Sequence, residues 1–198
     1  MIKSAAALGS GVLITVAVSG CHSGSTTPKA SSSTAAPTET SAGPTTSAAP
    51  AGYIDFLIKE TDIVAPEAFT AKPPISDPGG QPGAATSFSN ADGSHVIGDT
   101  ILVFADEATA NAALAAAKAA LNESVDGEPE SIDVGSGGTV ASGTSPDGSK
   151  SVTVVLFTEG TTFTTLEFDG PADAEAPEDF VTDVARKQDD AIKAALGD

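Results

Sequence analysis

The chain has 198 residues, 40% hydrophobic and 18% charged, with 27 acidic against 9 basic side chains and a formal net charge of −18. A field of that sign repels phosphate backbones and anionic headgroups, which excludes nucleic acid as a partner. One cysteine, two histidines and no tryptophan leave no disulfide framework, no thiolate or histidine metal site, and no indole platform for stacking sugars.

Lys3 precedes a nearly uncharged run from Ala5 to Val18, broken only by Gly9, Ser10, Gly11 and Thr15. A basic start and an apolar stretch shorter than the about 20 residues of a spanning helix are the layout of a secretory signal peptide, expected at 1–20. Val18-Ser19-Gly20-Cys21 then resembles the bacterial lipobox, in which an aliphatic residue and two small ones precede a cysteine. The resemblance implies a diacylglyceryl group on the Cys21 sulfur, signal-peptidase cleavage between Gly20 and Cys21, and attachment to the membrane through lipidated Cys21. Each buried methylene contributes about 0.8 kcal/mol, so two or more chains anchor stably where one binds reversibly. The alternative is a secreted protein with an incidental cysteine, and a lone exposed thiol there would be a liability.

From His22 to Pro50 the sequence is nearly all Ser, Thr, Ala, Pro and Gly, with only Lys29 and Glu39 charged. Such a composition cannot build a core, so residues 21–51 are expected to be a disordered tether, about 30 Å end to end as a coil. Ser/Thr-rich tracts with proline are also substrates for O-glycosylation. Setting aside Glu39, Lys3 and Lys29 leaves 26 acidic and 7 basic residues, a net charge of −19, on a single domain at 52–198. A domain of about 145 residues buries roughly 70% of its unfolded surface, enough for one core.

In YIDFLIKETDIVAPEAF the spacing of Tyr53, Phe56 and Leu57 fits one helical turn and Pro66 prevents a longer one, giving a short helix or extended arm. The Pro- and Gly-dense stretch over 71–85 reads as a loop, either a functional rim or plain connection. Thr86–Ser89 and His95–Phe104 flank Asp92-Gly93, whose positive backbone dihedrals predict a hairpin. Asp106 is placed as the N-cap of a helix with Ala110, Leu114, Ala117 and Leu121 on its apolar stripe, ending near Asn122. SIDVGSGGTVASGTS predicts one or two short strands interrupted at glycines, and Pro146-Asp147-Gly148 the next turn. Ser151–Thr158 and Thr161–Phe168 are the strongest strands, joined by Glu159-Gly160. Val152, Val154 and Leu156 fall on one face and Val155 and Phe157 on the other, a strand that wants cover on both sides. A last helix starts at Pro177 with Glu178 and Asp179 in its first turn, its stripe made by Val181, Val184, Ala185, Ile192, Ala195 and Leu196 and its end at Gly197. The fold class is α+β, an antiparallel sheet of about five strands with helices packed on it as an α/β sandwich.

Chemistry is sparse. His22 lies beside Cys21, and His95 reads as a strand-end surface residue without a nucleophile to serve. ASGTS around Ser142 lacks the first glycine of a GxSxG elbow. Gly135–Gly138 reads as a bulge or turn, because Val140 stands where a dinucleotide loop needs its third glycine. An EF-hand alignment on Gly93 uses Asn90, Asp92 and Asp99 but puts Phe88 where the first aspartate belongs. Asp173, Glu175, Glu178 and Asp179 are explained by a helix N-terminus. No catalytic residue, metal ligand or cofactor is therefore expected.

As a whole the chain resembles the small lipoproteins of mycobacteria and related actinobacteria. The resemblance rests on Leu57-Ile58-Lys59 with Thr61-Asp62-Ile63, GDTILVFADEATA (98–110), GGTVASGTSPDGSKSVTVVLFTEG (137–160) and FVTDVARKQDDAI (180–192). It implies a domain similar in fold to PsbP-like α/β/α sandwiches and carries no catalytic residue. The expected function is a non-enzymatic binding or interaction module, monomeric and lipid-anchored on the extracytoplasmic face of the plasma membrane, with an unknown envelope partner or apolar ligand. A carrier of lipid or other apolar molecules and an envelope hydrolase are the alternatives.

Overall fold

A computed structural model describes residues 52–197. The expected signal peptide, Gly20, Cys21, His22 and the tether lie outside the described residues. The chain divides into Met1–Ala49 and Pro50–Asp198, and both hydrophobic clusters of the second unit are made from its own residues. That unit holds the core it needs to fold alone.

In chain order the strands and helices are β1 (Thr70–Ala71), β2 (Ile75–Ser76), β3 (Gly83–Ser89), β4 (Val96–Val103), α1 (Glu107–Ala119), β5 (Glu130–Ser131), β6 (Ser136–Thr144), β7 (Lys150–Glu159), β8 (Thr162–Pro171) and α2 (Glu178–Leu196). They form an eight-stranded antiparallel sheet in the order β1-β3-β4-β8-β7-β6-β5, with β2 also paired to β3. The five expected strands correspond to the five long ones, and three two-residue strands are added at the margins.

β7 explains the layering. Val152, Val154 and Leu156 enter one cluster with Leu114 and Leu121, on the α1 side. Val155 and Phe157 enter the other with Val181, Val184, Ala185 and Ile192 of α2. The two apolar faces read in SVTVVLFT are thus covered by different helices. Alanine lets α1 approach closely: Ala110 is fully buried, and the Lys118 ammonium donates to the Gly137 carbonyl at 2.7 Å.

Local signals are realised with adjusted bounds. Asp106 caps α1 by accepting from the Thr109 amide at 2.7 Å and its hydroxyl at 2.9 Å. The helix itself ends at Ala119, and buried Leu121 sits in a following 3-10 turn. Pro177 is the N-cap of α2 and Gly197 its left-handed C-cap, but Leu196, placed on the apolar stripe, is 38% exposed. At the β3–β4 hairpin only Gly93 takes positive φ. Asp92 instead accepts from the Ser94 amide and hydroxyl, which closes the longer turn. The 71–85 stretch is not plain loop, since β2 folds back on Ala84 and Ala85 and β3 already begins at Gly83. Tyr53–Phe56 is one 3-10 turn, and Phe56, Leu57 and Ile58 are buried as an arm on the α2-side core.

The glycines at 135–138 make a strand irregularity, with the β6–β7 register shifting between Ser136 and Thr139. At Gly135 (φ +52°) an added Cβ would stand 2.6 Å from Phe157 Cδ2 and 2.7 Å from the Thr158 carbonyl oxygen. Gly135→Ala is therefore expected to cost about 3 kcal/mol, combining left-handed strain with a core clash. A urea-midpoint measurement checks this, and an unchanged midpoint would contradict it.

Among the described residues no helix is long and apolar enough to cross a membrane.

Candidate functional site

A groove of about 920 Å³ lies at the end of the sheet where β4 begins and β8 finishes. Segment 64–69 forms one wall, the start of β4 (His95–Ile97) and Phe168 the floor, and residues 174–177 with the first turns of α2 the other wall. Its size falls within the range of small-molecule sites.

Three aromatic rings from three elements shape it. Phe180 of α2 stacks on Phe69 with ring centroids 6.4 Å apart and meets Phe168 of β8 edge-on at 5.9 Å. Such offset and T-shaped contacts are the arrangements the ring quadrupoles favour. Val64, at the mouth, remains 69% exposed. An apolar side chain left so open beside an apolar groove adds to its greasy entrance.

The polar rim is acidic. Glu67, Asp169, Glu175, Asp179 and Asp183 line the groove, with Lys187 and His95 as its basic groups. Lys187 pairs with Asp183 at 3.6 Å and His95 Nδ1 with Glu67 at 3.1 Å. Lys150 donates to Asp169 and lies 3.6 Å from Glu167. Burial first, then the like charge of Asp169, push the Glu167 carboxyl up, against the pull of Lys150. Burial works against the charged form of Lys150, but pairing with Asp169 and Glu167 outweighs it and holds the ammonium above its ordinary value.

His95 is less isolated than a strand-end surface residue. Its Nδ1 meets Glu67, Asn90 Nδ2 at 3.2 Å and Ser94 Oγ at 3.3 Å, while its amide donates to Asn90 Oδ1 at 3.0 Å. These contacts converge on one ring nitrogen. A hydrolytic triad needs its nucleophile and its carboxylate on opposite nitrogens. The Ser94 hydroxyl moreover donates to Asp92 at 2.7 Å. The cluster fastens segment 64–69 to the β3–β4 hairpin and so fixes the groove wall.

The other sequence candidates disperse. Ser142 sits in β6 with its hydroxyl 3.0 Å from Thr153 Oγ1, far in character from a nucleophile elbow. Asn90 and Asp92 close the hairpin, whereas Asp99 is buried within β4 and shares no ligand set with them. Of the acidic run, Glu178 and Asp179 occupy the first turn of α2 and Glu175 reaches the groove. No residue of the 71–85 stretch lines the groove, and the preceding segment does so instead. Among the described residues no cluster of His, Cys, Asp and Glu could hold a metal ion.

The groove escaped the sequence reading because Phe69, Phe168 and Phe180 lie in separate elements and meet only in the fold. Asp99 did carry a signal. Alternation along VIGDTILV puts it on the same face as Ile97 and Ile101, both buried.

Comparison with known proteins finds no matching family model, no matching curated protein and no matching solved structure.

Proposed function

We propose that the chain is a cell-envelope lipoprotein of the mycobacterial and actinobacterial kind, anchored through lipidated Cys21, whose folded domain is a non-enzymatic binding module outside the plasma membrane. The observation that carries the binding reading is the groove of about 920 Å³ walled by Phe69, Phe168 and Phe180. The Val18–Cys21 pattern supports the anchor. The finer fold reading, a PsbP-like α/β/α sandwich, is supported by α1 and α2 contributing to different core clusters.

A carrier of apolar molecules is the second reading, favoured by the apolar lining. A carrier calls for a large apolar cavity between sheet and helices, whereas the groove opens at the sheet's end, beside a packed core. Native mass spectrometry of the Pro50–Asp198 unit from an actinobacterial host tests both. Wild type is expected to retain a ligand or partner that Phe180→Ala loses, and a bound mass removed by mild organic extraction would select the carrier. Reproducible turnover, abolished by one substitution that leaves the fold intact, would overturn the non-enzymatic reading.

A further inference from the structure

We infer that the groove takes a cation with an apolar body, an ammonium or guanidinium group carried on an alkyl or aryl frame. This rests on the groove being a binding site and adds the chemical class of its occupant. Two independent features point the same way.

The first is charge. Glu67, Asp169, Glu175, Asp179 and Asp183 line the groove against two basic groups, Lys187 and His95, on a domain of net charge −19 obtained from 26 acidic and 7 basic residues. Asp183, Asp169 and Glu67 have cationic or imidazole partners in Lys187, Lys150 and His95. Exposed Glu175 and Asp179 form no ion pair among the described residues, and they stand on the wall beside Phe180. The N-terminus of α2 also meets this wall and would favour an anion with roughly half a unit charge. Glu178 and Asp179 in its first turn offset that, so the local field stays negative.

The second is the aromatic corner. The electron-rich faces of phenyl rings attract cations placed within about 6 Å of them. A neutral apolar guest would use the walls and leave the carboxylates unused, while an anionic amphiphile would meet repulsion from both. A cation on an apolar body uses the part-exposed rings of Phe69 and Phe180, the apolar walls and the Glu175 and Asp179 carboxylates, which form no ion pair among the described residues, although Asp179 Oδ1 accepts from the Phe180 amide at 2.9 Å.

Chain-matched probes separate these cases. The Pro50–Asp198 unit is titrated with n-octylammonium, n-octanol and octanoate at neutral pH and low salt, with calorimetry for affinity and amide chemical shifts to locate the site. Octylammonium is expected to bind about tenfold more tightly than octanol, with octanoate weakest. The advantage should shrink at about 0.5 M salt, where surface charges are screened. Glu175→Gln with Asp179→Asn, both at exposed positions, should erase most of that advantage and leave octanol affinity unchanged. Phe180→Ala should weaken octylammonium and octanol alike. Octanol or octanoate binding in the groove as tightly as octylammonium would overturn the charge inference and leave the binding module standing. Absence of binding by all three would remove both.

Discussion

Asp99→Asn is expected to stabilise the domain by several kcal/mol at about pH 9 and to change it little near or below about pH 4. Asp99 lies in the middle of β4, 0% exposed, between Thr86 of β3 and Leu166 of β8. Neither of its carboxyl oxygens has a hydrogen-bond partner among the described residues. Burial pushes its pKa up to about 8, against a small opposing effect of the Ile58 amide. In the unfolded chain the group titrates near 3.9. Between those values the folded protein holds a proton that the unfolded chain has released, so stability declines as pH rises from about 4 to about 8 and then levels off. About four pH units of such linkage set an upper limit on the order of 5 kcal/mol.

Asparagine keeps the shape and removes the ionisation. Urea unfolding of the two proteins across pH should give curves that meet near about pH 4 and part steadily above it up to about pH 8; parallel curves would refute the assignment. Wild type alone would not suffice, because raised Glu167 works in the same direction. Asp106, held low by the Thr109 amide and hydroxyl, and Asp147, held at about 2 by Ser145 and Ser149, work in the opposite sense. Their stabilisation is present above the unfolded carboxylate range and lost as acid protonates them, and it cancels in the comparison.

The buried carboxyl also shows how much of this fold was legible in the sequence. Alternation in SVTVVLFT placed β7 between two apolar layers, and helical spacing with a proline and a glycine at its ends placed α2, because both signals are local and repeated along an element. Asp106 was readable for the same reason, since an N-cap is satisfied within one turn. Bounds shifted where long-range pairing extended a strand past its local pattern. Ile75 and Ser76 lie in a stretch dense in proline and glycine, yet they become a strand because Ala84 and Ala85 supply the partner edge.

The candidate site was illegible for a related reason. Phe69, Phe168 and Phe180 stand in three separate stretches of the sequence with no local pattern linking them, and what makes them a site is the end of β8 meeting the start of α2 beside segment 64–69. His95 read as a hairpin edge because Glu67, its partner at 3.1 Å, is 28 positions away and belongs to no predicted element. The acidic run before α2 was visible as charge but not as one wall of a groove.

Gln188→Ala is expected to cost about 4 kcal/mol and to loosen the arm through which the chain enters the domain. Gln188 is 0% exposed, and its amide spans the arm: Oε1 accepts from the Ile58 amide at 3.0 Å and Nε2 donates to the Phe56 carbonyl at 2.6 Å. Truncation strands a buried N–H and a buried C=O, each costing about 1–3 kcal/mol, and adds a cavity. Gln188→Met keeps the volume but not the hydrogen bonds, so it should retain most of the loss. A methionine variant as stable as wild type would show that packing, and not the clasp, holds the arm. Hydrogen exchange should place the opening at Ile58 first, while amides of β7 and β8 keep the protection of the whole domain. The Ile58 amide is also the group that eases ionisation of Asp99. Once freed from Gln188, it can turn to that carboxylate and lessen its penalty above pH 8. The double variant Asp99→Asn, Gln188→Ala should therefore depart from the sum of the singles at high pH and approach it near about pH 4, as residues sharing one partner do.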